Sequence, residues 1–384
     1  MIIEVFTAHG GGRYWRRLLE EWQRAGHTVH EVCAFDDATY RRTRGRMGRL
    51  WLRSLTYLLF PMKVWFRLHW GRDSADTVRV VITSPFFLPF IVAWSRSSRR
   101  RAPIVCVLND LFPDALIYAG MLQPEGWLAR LLGGMTRYCF KECEATVFLG
   151  SHLMAYAEHS YGKARIGRVI PVGADSTFIR NTPPTALLTE GPICILYAGT
   201  MGHMHDIDTL LEVAKRGLPP GFHLTFHSSG VGYARLCGAL ANPGDTPVDR
   251  ISLWGPLSDQ AWRETLNLHP IGLVTLKEGA QRVSMPSKTY STLAAGQAIL
   301  AVCAEDSDLA ELIRRHNCGW IVPPGHIEEL TSLLVRLARN PGEVHTKRIE
   351  AFQVGHSLYD MAAISEQYLD LFSALLKDPR QEHR

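Results

Sequence analysis

No apolar run in this 384-residue sequence stays free of charge long enough to cross a bilayer. A helical span needs about 20 such residues. The best candidate, LWLRSLTYLLFPMKVWFRLHW at 50–70, is broken by Arg53, Pro61, Lys63 and Arg67. The first residues, MIIEVFTAHGGG, carry Glu4 and no basic stretch, so they predict a strand rather than a secretory leader. There is no CxxC pair and no cysteine–histidine quartet. The eight cysteines, at 33, 106, 139, 143, 194, 237, 303 and 318, are scattered and mostly lie in apolar runs. That pattern argues against a zinc module and a disulfide framework. It predicts reduced thiols acting as small hydrophobes in a cytoplasmic protein. Low-complexity tracts and nucleic-acid recognition motifs are also missing, so no nucleic-acid partner is expected.

Charge is present but unevenly spread. Residues 1–105 hold 18 Lys and Arg against 8 Asp and Glu, while the whole chain carries a net +5. The excess peaks at Arg41, Arg42, Arg44, Arg46, Arg49 and Arg53, with no acid among them. The Trp- and Leu-rich stretch to residue 70 follows directly. A basic, aromatic-rich amphipathic segment of this kind suits an anionic membrane surface, and residues 41–70 are read as that candidate. An ordinary domain helix with a solvated Arg face fits the same pattern.

Apolar content of 46% and charged content of 21% suit a globular chain of two or three domains. Short apolar strands are predicted at 2–6, 29–34, 78–83, 104–108 and 145–149, with helices near 14–24, 87–94, 127–140 and 153–160. Strands alternating with helices of this length imply right-handed crossovers and a parallel sheet. Residues 171–192 contain four prolines and little periodicity, and read as a linker. The alternation restarts with strands at 193–198, 223–227, 250–254, 271–275 and 298–302. Its helices fall near 207–215, 233–240, 259–266, 288–294, 308–315 and 327–339, and a final helix spans about 358–376. The expected class is α/β, with two Rossmann-like domains at 1–175 and 176–355 and a C-terminal segment at 356–384.

In such sheets ligands bind beyond the carboxyl ends of the strands. The loops there are therefore the candidate sites. Gly10, Gly11 and Gly12 follow the first strand, and Asn109-Asp110-Leu111-Phe112-Pro113-Asp114 follows the fourth. In the second half, Tyr197-Ala198-Gly199-Thr200-Met201-Gly202-His203 joins a strand to a helix. Trp254-Gly255-Pro256 and Leu276-Lys277-Glu278-Gly279 close two more strands. Residues 286–303, PSKTYSTLAAGQAILAVC, carry the strongest pattern. Pro286 and Ser287 open a helix, Lys288 stands in its first turn, and Gly296 ends it before a buried strand. A helix start bearing a hydroxyl and an ammonium is suited to an anion such as a diphosphate.

The PSK-x-Y-x-x-x-AAG pattern of residues 286–296 resembles GT-B glycosyltransferases of the retaining family 4 type, particularly those that assemble bacterial polysaccharides. The NDLFPD loop at 109–114 is similar to their DLFPE loop. The 197–205 loop matches their glycine motif at Tyr197, Gly199, Gly202 and His205, but has His203 where Arg is usual. The resemblance implies two domains facing across a cleft, with the last helix crossing back to the first. It implies a nucleoside-diphosphate sugar donor, most simply UDP-linked, a lipid-linked or other glycan acceptor, and no cofactor or metal. Gly11 and Gly12 would face donor and acceptor. Gly199, Thr200, Gly202, His203, Ser287 and Lys288 would hold the diphosphate, and Trp254 and Gly255 the base. Glu278 and Gly279 would lie against the sugar, and Ser291 near the ribose. Asp110 and Glu278 are the carboxylates assigned to the chemistry. Asp110 and Asp114 serve equally well as caps of a turn or helix, Trp254 as a core residue, and His203, His205 and Asp206 as an alternative metal cluster.

The pattern departs from the family at one pair. Its two glutamates, with seven residues between them, are Val283 and Ser291 here. That departure, with His203 in place of Arg, motivates one alternative, a non-catalytic scaffold; the other is a UDP-sugar epimerase of the same fold, for which the sequence shows no matching set of acidic and His residues. The expected location is cytoplasmic, with a peripheral place at the inner face of the membrane.

Overall fold

The structure, a computed structural model, describes residues 1–10, 13–36, 39, 43, 45–70, 74–95, 102–185, 191–241 and 250–377. Gly11, Gly12, Arg41, Arg42 and Arg44 lie outside the described residues. The chain divides into two compact units. One is Met1–Val172 with the segment from Met361, and the other is Gly173–Asp360.

The main sheet of the first unit has six parallel strands: β1 Ile2–Phe6, β2 Thr28–Val32, β3 Thr77–Ile82, β4 Ile104–Leu108, β5 Ala145–Phe148 and β6 Gly167–Val169. Their order is β2-β1-β3-β4-β5-β6. Strands β3, β4 and β5 are buried along their whole length, as a parallel sheet covered on both faces requires. The helices are α1 Arg13–Arg24, α2 Gly45–Ser54, α3 Phe60–Trp70, α4 Leu88–Trp94, α5 Asp114–Tyr118, α6 Trp127–Glu142 and α7 Ser151–Tyr161. A π-turn, Leu55–Leu59, joins α2 to α3. Phe60, Val64, Leu88, Val92 and Cys139 from α3, α4 and α6, with Cys143 just past α6, pack on Phe6, Val81, Ile104 and Cys106 of the sheet. The cysteines act there as apolar filler, and all eight in the chain are free thiols.

The second unit begins with a short helix, α8 Ser176–Ile179, inside the stretch read as a linker. Its Asp175 carboxylate caps Phe178 N–H at 3.0 Å, and Asp360 accepts from Ser176 N–H at 3.1 Å. The strands are β7 Ile193–Thr200, β8 Phe222–Ser229, β9 Ile251–Trp254, β10 Ile271–Thr275, β11 Ala298–Val302 and β12 Gly319–Val322, ordered β9-β8-β7-β10-β11-β12. The helices are α9 Asp208–Arg216, α10 Val231–Ala241, α11 Asp259–Leu268, α12 Lys288–Ala294, α13 Asp308–His316, α14 Ile327–Arg339 and α15 Pro341–Ser357. The last helix, α16 Met361–Leu376, belongs to the first unit. Its Tyr368 and Phe372 rings meet Trp22 of α1 edge to face at 5.7 and 5.3 Å.

Three departures from the sequence reading have physical causes. The edge strands β6 and β12 are three and four residues long and begin with glycine, too short to show a period. Helix α15 hides its buried face because that face includes Arg348 and Gly355 beside Val344, Ala351 and Val354. The final helix starts at Met361, not 358, because Leu358 caps α15.

Candidate functional site

In the second unit the strand order reverses between β7 and β10, which is where a doubly wound sheet binds its ligand. The loops after those two strands meet there. Lys277 N–H, following β10, donates to Met204 O, following β7, at 2.9 Å. Helix α12 brings Lys288 to the same place. Its body is anchored by the buried residues Thr289, Tyr290, Thr292, Leu293 and Ala294. Its far end is held by two cations, an arrangement suited to the carbonyl end of a helix. Arg348 donates to Gly296 O at 3.3 Å and to Thr185 O at 2.9 Å. Arg180 reaches Ala295 O at 3.5 Å. Burial, with Arg180 nearby, pulls Arg348 down to about 10. Helix α15 approaches so closely that a side chain at Gly355 would meet Ala294 N at 2.7 Å.

Lys288 Nζ stands 3.6 Å from the centre of the Tyr197 ring and 3.5 Å from Thr200 O. Burial alone pushes its ammonium well below the usual lysine value, and among the described residues no carboxylate pairs with it. The ring face and a carbonyl partly offset that desolvation. Tyr197 is fully buried, and its hydroxyl donates to the same Thr200 carbonyl at 3.2 Å. Gly199 has φ of +129°, a region closed to most side chains, and its carbonyl accepts from Ser228 Oγ at 2.7 Å. Gly230 and Gly232 let the turn after β8 pack on Met201, where a Cβ would come within 2.7 to 3.0 Å of the Met201 carbonyl. The outcome is a glycine-bearing backbone turn, exposed at Gly199 and Thr200, with one unpaired cation beneath it.

His205 completes the cluster without adding charge. Its Nδ1 accepts from Gly202 N–H at 3.0 Å, and its ring meets Tyr197 edge-on at 6.0 Å. Burial and the neighbouring Lys288 drive it down to about 3. Its folded value lies below its unfolded one, so the unfolded chain binds the extra proton and stability falls as pH drops below about 6.5. Between pH 7 and pH 5 the loss should reach about 2 kcal/mol. Melting curves of wild type and His205→Gln at the two pH values test this. The Gln variant should lose less stability on acidification, and equal losses would contradict it.

The other expected residues fall into separate places. Gly202 cannot offer its N–H to a ligand while His205 accepts it, which corrects its expected role. His203 is exposed on the turn and makes no described contact with the cluster. Ser287 stands at the start of α12, exposed, with a hydroxyl that caps no backbone group. Ser291 turns its hydroxyl back to Lys288 O at 2.9 Å, and Val283 is fully buried. Glu278 is exposed, and Gly279 takes a left-handed φ of +86° before a short 3-10 turn, Ala280–Arg282. Trp254 is 57% exposed at the end of β9, which excludes the core reading. The His227 ring lies parallel to Trp254 at 6.4 Å, and Tyr233 donates to Trp254 O at 2.8 Å. Among the described residues no group of three His, Cys, Asp or Glu converges on a metal position. Asp206 instead accepts from Asp208 N–H at 3.2 Å at the start of α9.

Asp110 lies in the first unit, just beyond β4, half-buried among Thr83, Phe86, Phe87, Phe90 and Phe112 around a small, mainly apolar cavity. Asp114 has a structural role. It is buried and accepts from Tyr156 at 2.8 Å and Tyr161 at 2.5 Å, tying this loop to α7. Burial and the bond to Asp114 push Tyr156 up to about 12. Sequence reasoning missed Ser228, His227 and Tyr233. The polar run Ser228-Ser229-Gly230 at a strand end was the available signal.

Residues 8–178 match the family model described as Glycosyltransferase Family 4. The chain is 23% identical to "Probable glycosyltransferase WbjE" of Pseudomonas aeruginosa, with 84% of each covered. Among solved structures it is similar to sucrose-phosphate synthase from Thermosynechococcus elongatus, with TM-score 0.71, 16% identity, and 98% of this chain and 99% of that one covered. It is also similar to Anabaena HepE in complex with UDP and glucose, with TM-score 0.70, 14% identity, and 97% and 100% covered. The fold is GT-B, and together with the family match it supports an enzyme that transfers glycosyl groups.

Proposed function

We propose that this chain moves a sugar from a UDP-linked donor to a lipid-linked or other glycan acceptor of bacterial polysaccharide assembly, with retention of configuration. The observation that carries this reading is the unpaired, desolvated Lys288 under the Gly199–Thr200 turn. The UDP complexes of HepE support the choice of nucleotide for this fold. In this reading the diphosphate meets Lys288 and the backbone at Gly199 and Thr200. The uracil lies beside Trp254 and Gly255, and the sugar lies along residues 277–279. Asp110 orients the acceptor hydroxyl. That hydroxyl attacks the anomeric carbon on the face the diphosphate leaves, the carbon–oxygen bond to UDP breaks, and the acceptor's proton passes to the departing phosphate oxygen. Lys288 stabilises the charge that grows on that oxygen, so no metal is required. The protein works in the cytoplasm, at the inner face of the membrane.

Nucleotide binding tests the reading. UDP at 100 times its Kd should stabilise the chain by about 2.7 kcal/mol, and uridine at the same concentration by far less. Equal effects of UDP and uridine would remove the phosphate role. The Val283 and Ser291 departures favour one other reading, a scaffold without activity. Incubation with UDP-sugars separates transfer from it and from epimerisation: transfer requires an acceptor, epimerisation does not, and a scaffold yields neither product.

A further inference from the structure

Of the twenty large apolar side chains exposed on the described residues, sixteen belong to the first unit, and fifteen of these fall between Met47 and Leu131. Thirteen of them lie on α2, the π-turn, α3, α4 and α6. Helix α3 packs against α4 and α4 against α6. Tyr57 meets Phe87 at 6.1 Å, and Phe90 meets Tyr138 at 5.3 Å. The inward sides of these helices fill the core, whereas the outward sides set large apolar groups among their cations. Trp51, Leu58, Leu59 and Met62 are exposed along α2, the π-turn and α3. Trp94, Trp127 and Leu131 are exposed on α4 and α6, Trp127 by 77%. The second group was not visible in the sequence, because Trp94 and Trp127 are 33 residues apart and adjoin only through the packing of α4 on α6.

We infer that this layer, α2–α3 together with α4 and α6, is a two-part face that lies in the surface of an anionic bilayer. Charge selects the partner. Among the described side chains α2 and α3 expose Arg53, Lys63 and Arg67, the last paired with Glu4 at 2.8 Å, and α6 adds exposed Arg130, Arg137 and Lys141. A second copy of the chain seated on the same face would set these cations against each other, since a two-fold interface pairs a patch with itself. Anionic headgroups neutralise them, while the tryptophans occupy the headgroup level they favour. No helix among the described residues is long and apolar enough to cross a membrane, so the contact is lateral. The inference deepens the peripheral placement proposed above and rests on it. It would explain how a soluble donor and a lipid-linked acceptor meet at one enzyme.

Sedimentation of the full chain with vesicles tests it. One set is phosphatidylcholine alone and the other contains phosphatidylglycerol. Binding should favour the second set and weaken in high salt. Leu58→Glu with Met62→Glu, and separately Trp127→Glu, should each lower partitioning roughly tenfold or more, since each places a charge in the apolar contact. All three positions are exposed, so melting temperatures and UDP affinity should match wild type. Loss by the first variant alone would remove α4 and α6 from the face. Equal binding to both vesicle types, no binding in low salt, unchanged partitioning of both variants, or capture of a single-stranded RNA in place of vesicles would overturn the inference. So would self-association that the same substitutions abolish. Failure of wild type to bind UDP would instead count against the donor reading and leave the vesicle result standing.

Discussion

Lys288→Ala should weaken UDP binding by about 1.5–3 kcal/mol, roughly 10- to 150-fold, the range for a hydrogen bond to a charged group. Uridine affinity should stay near wild type. The size of the effect follows from the site's composition. Among the described residues Lys288 is the cation at the Gly199–Thr200 turn, no carboxylate neutralises it, and neighbouring His205 stays uncharged. Removing the ammonium should also relieve a burial cost, so the variant should be at least as stable as wild type at neutral pH. That separates a binding defect from unfolding.

The pH dependence has a definite sign. Burial holds the free enzyme's Lys288 below the usual lysine value. A bound diphosphate favours the ammonium and raises it again. UDP affinity should therefore be constant on the acid side of the free value and fall as pH rises through it. The fall should approach tenfold per unit, because binding must then take up a proton. Calorimetry across alkaline pH should show the fall in wild type and its absence in Lys288→Ala. An identical profile in the two proteins, or equal UDP affinity at neutral pH, would remove Lys288 from the diphosphate.

How much of this was legible can be seen at Lys288 itself. The sequence signalled the helix through Pro286, the stop at Gly296 and the buried strand after it, all local features with local causes. It also marked the Tyr197–His205 loop. It did not indicate that Tyr197 would lie beneath the ammonium, because 91 residues separate them and only the β7–β10–β11 order brings them together. The same limit hid Arg348, whose place behind α12 depends on a helix with no clear apolar period. His205 looked like a helix-start residue and is a buried neutral acceptor instead. Side-chain hydroxyls were the least legible of all. Ser287 was marked by its place at the helix start, whereas Ser228, which supports Gly199 from another strand, drew no notice.

Asp110→Asn should separate the two halves of the reaction. The change keeps the side chain's shape and removes its charge. If Asp110 orients the acceptor hydroxyl, transfer should fall by about 100-fold or more, the scale of positioned proton-handling groups. UDP affinity should remain within a few-fold of wild type, because Asp110 belongs to the first unit and Lys288 to the second. Lys288→Ala should behave in the opposite manner, losing UDP binding directly. The pair forms a double dissociation. An epimerase needs no acceptor-side carboxylate in this position, and a scaffold has no turnover to lose. Steady-state rates, calorimetry and a melting curve on each variant measure the three quantities. Wild-type turnover in Asp110→Asn would remove the carboxylate from the chemistry. Parallel loss of UDP affinity in both variants, with melting unchanged, would show that donor and acceptor functions are not divided between the two units.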